Sequence, residues 1–474
     1  MLTRFLFICS LVLSVSSSGW TQDHPRQQAR ATIKKAADFF HKNVARHGGY
    51  VYHYSLDLQQ RWGEGVASKD QVWIQPPGTP TVGMAFIKAY HATGVTAYLD
   101  AATEAANAVV YGQLESGGWT NSVDFDPSSR STALYRNGRG RGKNNSSLDD
   151  GQTQSAIQFL VQVDKAHNFK NLPIHESAIV ALDALLAAQF PCGAFPQVWT
   201  GPVKPQPKDV RANYPEYDWR TEGRLKNYWD MYTLNDNVTG YIADALIEAS
   251  EAYDDPRYTV ALQRLGDFLL AAQMPEPQPG WAQQYNYEMQ PIWARKFEPP
   301  ALASDETQEV LATLMKISEF TNDRKYLKPI PSAAAWLRRS ILADGQFARY
   351  YELKTNRPLY MTRSGDKYSL TYDDSNLPAH YGWKMPSKQK ELATQFSTVR
   401  SEKPLSSLVS PRVRARQANQ AIAALDSMGR WVSTFQSGDR LVGQMKLAAG
   451  TKYISSQVFS DHLNALSDFI EDSK

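Results

Sequence analysis

A short turn that joins a glycine to an aromatic residue recurs five times along the chain. The five turns are Gly48–Tyr52, Gly117–Trp119, Cys192–Gln197, Pro279–Gln283 and Asp344–Arg349, and their aligned glycines lie 69, 75, 87 and 65 residues apart. Stretches with apolar residues at i, i+3, i+4 and i+7, the spacing of a one-sided helix, precede these turns. One helical hairpin cannot bury its apolar face alone, whereas stacked hairpins can, in an open solenoid or a closed ring.

This repeat predicts an all-α fold, an (α/α) toroid of helical hairpins with long Gly-aromatic loops and little β structure. Because the loops fall at the same point of every unit, we expect them to meet at one mouth of the ring and to form a cleft there. The open alternative is that the turns only end helices and pack the hub. Residues 388–411 are expected to form a surface connection, and residues 415–424 and 458–470 C-terminal helices.

Composition excludes several classes of protein. The chain has 474 residues, of which 42% are hydrophobic and 21% charged, so neither general disorder nor a fibrous structure is expected. The net charge is only +3 and no long basic run occurs, which argues against a nucleic-acid partner. Twelve Trp and 24 Tyr suit either sugar stacking or an aromatic core.

The N-terminus reads as a secretory signal. Arg4 precedes an apolar run over residues 5–15, and small residues follow up to Gly19, so residues 1–19 are predicted to be a signal peptide. We therefore expect a secreted or periplasmic protein with no membrane partner. Cys192 is the one cysteine outside this segment, so no internal disulfide is predicted.

Two clusters of acids and amides stand where predicted helices begin. Asp149 and Asp150 precede a helical run, and Asn235, Asp236 and Asn237 precede another. Helix capping by these side chains is one interpretation. The other is a shared oxygen-rich site, because hard cations such as Ca²⁺ prefer carboxylate and amide oxygens.

Two arginines stand in the same local pattern, Ala-Arg-x-x-Glu. Arg295 follows one Gly-aromatic turn and Arg349 lies within another. Each could form an ordinary surface ion pair, worth roughly 0–1 kcal/mol. Alternatively, arginine at a loop mouth suits an acidic sugar, since guanidinium binds carboxylate in bidentate fashion and stacks flat on rings.

From Gly117 to Trp383 these motifs resemble, in order, those of the pectic acid lyases, polysaccharide lyase family 10. The family patterns I-D-N-G-A-T, G-G-W-P-Q, F-N-D-N-A, A-R-x-x-E-x-P, W-A-R-F-Y-x-L-x-T-x-R-P and G-Y-x-W are similar to Leu148–Thr153, Cys192–Gln197, Leu234–Val238, Ala294–Pro299, Phe347–Pro358 and His380–Trp383. The chain departs from the pattern at Asp150, where the family has Asn.

The resemblance implies calcium-dependent eliminative cleavage of polygalacturonate (pectate) on an (α/α) toroid. Carried over by motif, Asp149 and Asp236 would serve Ca²⁺ and the substrate carboxylate, Arg295 would be the base, and Arg349 would contact a substrate carboxylate. We further expect Trp281 and Tyr350 to bind substrate. Supporting roles are predicted for Asp150, Asn235, Asn237 and Gln283.

The predicted organisation after the signal peptide has three parts. Residues 20–116 form an N-terminal helical part of the toroid, residues 117–384 its pectate-lyase-like catalytic part, and residues 385–474 a C-terminal helical extension packed on the same domain. A monomer is expected.

Some alternatives stay open from sequence. Arginine is a surprising base, because its reference pKa is about 12.5–13.8, so Arg295 could instead clamp a carboxylate while another group or water removes the proton. An inverting glycoside hydrolase that uses Asp149 and Asp236 as acid and base is one rival function. A non-catalytic uronate-binding protein is the other.

Overall fold

The computed structural model describes residues 20–206, 210–220 and 226–472, and α-helices dominate it. The predicted signal peptide lies outside these residues. Within them the helices are α1 (Trp20–Phe39), α2 (Thr79–Thr93), α3 (Thr96–Tyr111), α4 (Gln152–Ala166), α5 (Leu172–Ala187), α6 (Val238–Ala252), α7 (Pro256–Ala272), α8 (Ser304–Thr321), α9 (Ile330–Ser340), α10 (Gln389–Arg400), α11 (Pro411–Ala424) and α12 (Ser456–Glu471).

The helices alternate between an inner and an outer layer. α2, α4, α6 and α8 pack one against the next, and α10 continues this inner series from α8. Odd-numbered helices cover it, since α3 packs on α2 and α4 while α7 packs on α6 and α8. At the other end α12 packs closely on α2 and against α1 and α11. The predicted all-α toroid of hairpins is therefore confirmed.

The Gly-aromatic turns lie at the N-terminal ends of the inner helices. The backbone N–H groups of three of their aromatic residues donate to threonine hydroxyls there, in the pairs Tyr50–Thr79 (2.9 Å), Trp119–Thr153 (3.0 Å) and Trp281–Thr307 (3.0 Å). The indole N–H of Trp119 also donates to the carbonyl of Val109 in the preceding helix at 2.7 Å. Since these rings are fully buried, the turns end helices and pack the hub.

Close approach explains why glycine precedes the aromatic residue. A Cβ at Gly118 would lie 2.7 Å from both Ser146 Oγ and Thr153 Oγ1, which no side chain there could accommodate without movement. Only glycine, which has no Cβ, lets the backbone approach these side chains so closely.

The strands are short and mostly pair loops. They are β1 (His53–Ser55), β2 (Arg61–Trp62), β3 (Gln71–Trp73), β4 (Ser122–Asp124), β5 (Ser146–Ser147), β6 (Val198–Trp199), β7 (Tyr232–Thr233), β8 (Gln284–Tyr285), β9 (Leu302–Ala303), β10 (Phe347–Ala348), β11 (Tyr350–Tyr351), β12 (Pro358–Ser364), β13 (Lys367–Thr371), β14 (Lys384–Met385), β15 (Val432–Thr434) and β16 (Lys452–Ser455). All their pairings are antiparallel, and the order β15-β16-β1-β2 joins the two ends of the described chain.

One local expectation is wrong. Residues 388–411 are not a plain surface connection, because they contain the twelve-residue helix α10, which packs on α8. Only Leu392 and Val399, seven residues apart, are buried on it. Two apolar positions are too few for the periodic pattern by which a helix is identified in sequence.

Candidate active site

Asp149 and Asp150 lie in a tight turn that connects β5 to α4. The chain reverses there through two left-handed residues, Asp150 (φ 45°) and Gly151 (φ 74°). Asp149 is held from two sides, since its backbone N–H donates to Ser147 Oγ at 3.1 Å and its Oδ1 accepts from Gln197 Nε2 at 2.8 Å. Asp150 Oδ2 accepts from Gln75 Nε2 at 3.0 Å.

Asp236 lies in a matching turn between β7 and α6. Asp236 and Asn237 adopt φ values of 51° and 56°, and Asn235 Nδ2 donates to Asp236 Oδ2 at 2.7 Å. Neither following helix has a side-chain cap. Gly151, at the start of α4, has no side chain, and the side chain of Asn237 forms no capping hydrogen bond at the start of α6. Helix capping therefore does not account for the two clusters.

The acids of the two turns act on one another. Burial first, and then the charge of Asp236, raises the pKa of Asp149 to about 6. Burial with the charges of Asp236 and Asp149 raises the pKa of Asp150 to about 7. Glu64 contributes in the same direction to both. The two turns lie about 90 residues apart in the sequence, and they form one region of concentrated negative charge.

Arg295 faces this region from the loop after β8. Its Nη2 donates to Glu298 Oε1 at 2.5 Å, and its backbone N–H donates to Glu298 Oε2 at 2.9 Å. Burial alone would lower the pKa of Arg295, but the hydrogen bond and charge of Glu298 outweigh it, and the pKa lies above its ordinary value. The charge of Asp236 acts in the same direction, so Arg295 and Asp236 lie within electrostatic reach.

Arg349 is the more buried of the two arginines, with 9% of its side chain exposed. Its Nη2 lies 3.7 Å from Asp236 Oδ1 and 3.5 Å from Glu306 Oε1, but neither contact is a hydrogen bond. Within the described residues the one hydrogen-bond contact of its guanidinium is from Nη1 to the weak acceptor Met385 Sδ, at 3.7 Å. The guanidinium is therefore fixed by charge, and its N–H groups have no oxygen of the described residues as an acceptor.

Tyr381 joins the two arginines. Its ring centroid lies 5.6 Å from the Arg295 guanidinium carbon and 4.7 Å from that of Arg349, both cation–π distances. Its hydroxyl donates to Glu298 Oε1 at 3.0 Å. The ring therefore sets the separation of two positive groups that face Asp236, so Asp149, Asp236, Arg295 and Arg349 converge on one region.

Comparison with known proteins shows the family of the chain. Residues 113–347 match the family model described as pectic acid lyase. Through these residues the chain belongs to the pectic acid lyase family. The chain is therefore a polysaccharide lyase. No curated protein matches the sequence.

Solved structures with related folds include two of a family 10 polysaccharide lyase from Cellvibrio cellulosa. One is 22% identical, with a TM-score of 0.48 over 66% of this chain and 95% of that chain. The other, a mutant in complex with trigalacturonic acid, is 21% identical with the same TM-score and coverage. Cellobiose 2-epimerase from Bacillus thermoamylovorans is 14% identical, with a TM-score of 0.49 over 94% and 99% of the two chains.

Three of the residues that the sequence predicted for the site are buried beneath its surface. Trp281 is fully buried and its indole N–H donates to the Leu269 carbonyl at 2.8 Å, so its ring closes a helix instead of facing a substrate. Tyr350 is 1% exposed, and its hydroxyl donates to Gln283 Oε1 at 2.5 Å and contacts the Tyr381 hydroxyl at 2.9 Å. The predicted substrate contacts of Trp281 and Tyr350 are therefore wrong, while Gln283 lies where a supporting residue would.

Several residues of the site were not predicted from sequence. Glu298 and Tyr381 lie inside motifs of the family pattern, yet no role was assigned to them. Glu306 is fully buried beside Arg349, and burial raises its pKa to about 7 although Arg349 opposes the shift. Glu64 accepts from Asn121 Nδ2 at 3.0 Å at the edge of the acidic region, and no sequence signal marks it.

The two Ala-Arg-x-x-Glu motifs of the chain form different ion pairs. Arg295 pairs with Glu298 of its own motif. Glu352, in contrast, pairs with Arg220 at 2.5 Å, which leaves Arg349 to Glu306 and Asp236. Neither arginine forms an ordinary surface ion pair, because Arg295 pairs with the buried Glu298 and Arg349 with the buried Glu306.

The oxygen donors of the site suit a hard cation only in part. Asn235 Oδ1, Gln152 Oε1 and Gln197 Oε1 are buried without hydrogen-bond partners near Asp149 and Asp236. However, the described residues contain no group of three or more His, Cys, Asp or Glu side chains spaced to hold a metal ion. The chemistry of the donors fits Ca²⁺, and the remaining ligands would have to come from substrate or water.

No helix among the described residues is long and apolar enough to cross a membrane.

Proposed function

We propose that this polysaccharide lyase is a secreted pectate lyase that cleaves polygalacturonate by calcium-assisted β-elimination and releases 4,5-unsaturated oligogalacturonides. The observation that carries the proposal is the Arg349 guanidinium, which lies within 3.7 Å of Glu306 and Asp236 and yet donates a hydrogen bond to no oxygen of the described residues. Such a group suits the carboxylate of a uronate, which accepts two parallel N–H bonds. A neutral sugar has no carboxylate to accept these bonds.

Elimination needs a carboxylate beside the reacting carbon. The C5 proton passes to the base, and the electron pair of the C5–H bond forms the C4–C5 double bond. The bond from C4 of the same uronate to the bridging oxygen breaks, and this oxygen leaves on C1 of the neighbouring sugar with the bonding pair and takes up a proton from water. Negative charge develops on the uronate carboxylate during this step, and Arg349 stabilises it. Asp149 and Asp236 would hold Ca²⁺, which when bound neutralises the carboxylate and acidifies C5–H.

Arg295 is proposed to lie beside the C5–H bond of the bound uronate. Glu298 raises its pKa, which is the opposite of what a general base requires, so the neutral form of Arg295 is disfavoured in the free protein. Arg295 can be the base only if bound substrate and Ca²⁺ weaken its pairing with Glu298. In the other version Arg295 clamps the carboxylate and water removes the proton.

An absorbance assay tests the proposed reaction. Purified protein is mixed with polygalacturonate and calcium, and the ultraviolet absorbance of unsaturated uronates is followed, with chelator in a parallel sample. A rise that depends on calcium supports the proposal. No rise in either sample, at several pH values, would overturn it.

A second candidate function is an inverting glycoside hydrolase. Its support is the pKa of Asp149, which burial and Asp236 raise to about 6, a value suited to a general acid. This reaction would release saturated reducing ends without an ultraviolet signal. A protein that only binds uronates would give neither product.

A further inference from the structure

A second feature adjoins the candidate active site, namely a cavity of about 1000 Å³ between residues 376–382 and residues 439–446. It shares Arg349 and Tyr381 with the site, so the two spaces are continuous at these residues. Its volume lies at the upper end of the roughly 300–1,000 Å³ typical of small-molecule pockets. Its far wall, residues 439–446, lies outside the residues that match the family model.

The charges that line this cavity are mainly positive. Arg349, Arg363, Arg440 and Lys446 line it, against a single acidic residue, Asp439. Asp439 is engaged elsewhere, since its Oδ2 accepts the backbone N–H of Gln436 at 2.7 Å. Arg440 and Lys446 are exposed and form no ion pair within the described part of the chain.

A histidine in the same wall responds to this positive field. His380 lines the cavity, and its Nε2 lies 3.0 Å from the Tyr368 hydroxyl. Burial, and then the charges of Arg363 and Arg295, lower its pKa. The charges of Arg363, in the cavity, and of Arg295, in the site, therefore both reach His380.

We infer that this cavity is an extended subsite for further uronate units of the bound polysaccharide, in which Arg440 and Lys446 recognise carboxylates distant from the cleaved bond. The inference rests on the proposed function and adds to it two further contacts with the polymer, at Arg440 and Lys446. Arg349 binds the carboxylate nearest the reaction, and the polymer continues past Tyr381 into the cavity. Methyl esterification removes the charge that these two residues recognise.

The test compares two double variants of the full chain with equal loss of charge. Arg440→Gln/Lys446→Gln removes both exposed cations of the cavity, and Arg412→Gln/Arg416→Gln removes two exposed cations of α11 that do not line it. Because all four side chains are exposed, little effect on folding is expected. Retardation in gels that contain polygalacturonate measures binding, and turnover is measured on the polymer and on trigalacturonate.

We expect the cavity variant to bind polygalacturonate roughly twofold to thirtyfold more weakly than wild type, the range that corresponds to two exposed ion pairs. Its polymer binding should also depend less on salt, while trigalacturonate turnover and the α11 variant stay unchanged. Equal retardation of both variants would overturn the inference, and so would an equal loss on polymer and trimer. If wild type bound the polymer but cleaved nothing, the proposed reaction would fail while the binding comparison still decided this inference.

Discussion

Glu306 Oε1 lies 3.5 Å from Arg349 Nη2, and both oxygens of this fully buried carboxylate lack a hydrogen bond among the described residues. The pair is therefore held by charge alone, without the directional bonds that usually accompany a buried ion pair. This explains how Arg349 keeps a fixed position while its N–H groups stay available to a ligand.

The first prediction concerns this pair. Burial raises the pKa of Glu306 to about 7, so the carboxylate is neutral well below pH 7 and charged above it. Glu306→Gln removes the charge at every pH. We expect kcat/KM of the variant to match wild type at about pH 5 and to fall about tenfold below it at about pH 8, equivalent to about 1.4 kcal/mol. The pH profile of polygalacturonate cleavage measures this.

Glu288→Gln is the control for this prediction, because Glu288 is exposed and is not one of the ion-pair partners of Arg349. The role assigned to Glu306 would be wrong if its variant lost the same factor at every pH, since a purely structural defect has no reason to follow the titration of one carboxylate.

The second prediction separates binding from proton removal at Arg295. Arg295→Lys keeps a positive charge but loses the planar guanidinium whose Nη2 donates to Glu298 Oε1. We expect turnover to fall about 10²- to 10⁴-fold, the usual contribution of a positioned base, with little change in oligogalacturonate affinity. Kinetics and equilibrium binding measure the two quantities, with Arg338→Lys on the exposed face of α9 as control. Near-full turnover in Arg295→Lys would exclude the base assignment.

The third prediction divides the roles of Tyr381. Tyr381→Phe keeps the ring between the two arginines and removes the hydrogen bond to Glu298, whereas Tyr381→Leu removes both. Because a hydrogen bond to a charged group contributes about 1.5–3 kcal/mol, the Phe variant should lose about ten- to a hundredfold in kcat/KM and the Leu variant more.

Tyr372→Phe is a matched control, since it removes a comparable bond from a tyrosine hydroxyl to a buried glutamate, Glu352, outside the site. Equal activity of Tyr381→Phe and Tyr381→Leu would show that the ring does not position the arginines.

The fourth prediction concerns calcium. Chelation should abolish the ultraviolet product, and Asp236→Asn or Asp149→Asn should weaken calcium affinity at least about tenfold, because each removes a charged oxygen ligand. The pKa of Asp149 is raised to about 6, so calcium binding should release protons and weaken as the pH falls below about 6. Calorimetry with oligogalacturonate present measures both effects. Asp461→Asn on α12 is the control, and unchanged affinity in both site variants would exclude the proposed ligands.

The fifth prediction concerns stability without calcium. Burial and neighbouring acids raise the pKa of Asp150 to about 7, above its value in the unfolded chain, so its ionisation destabilises the fold as pH rises from about 4 to about 7 and above. Asp150→Asn should therefore raise Tm above about pH 7 and leave it unchanged below about pH 4, and Asn also suits the positive φ of this position. Thermal unfolding with chelator measures this. Asp366→Asn, at an exposed residue, should shift Tm at neither pH; a lower Tm for Asp150→Asn at high pH would contradict the prediction.

Local sequence patterns predicted the fold and the principal residues of the site. The Gly-aromatic repeat predicted stacked helical hairpins. A turn that recurs at the same point of each unit indicates that each unit buries its apolar face in the same way, against its neighbours. The motif order marked Asp149, Asp236, Arg295 and Arg349, and the structure brings these four together. The division into residues 20–116, 117–384 and 385–474 stays a prediction, as do the signal peptide, the monomer and the calcium.

Contacts between distant parts of the chain decided the rest. An aromatic residue beside a glycine reads the same whether its ring faces a sugar or the hub, so Trp281 and Tyr350 could not be placed from sequence. Two identical Ala-Arg-x-x-Glu motifs pair differently because Arg220 pairs with Glu352, whereas among the described residues Arg295 is the one arginine that pairs with Glu298. Sequence alone thus determined which chemical groups this protein carries and how its helices repeat. Which charges meet, and which rings stay accessible, depended on ring closure, because only packing sets distances between residues far apart in the chain.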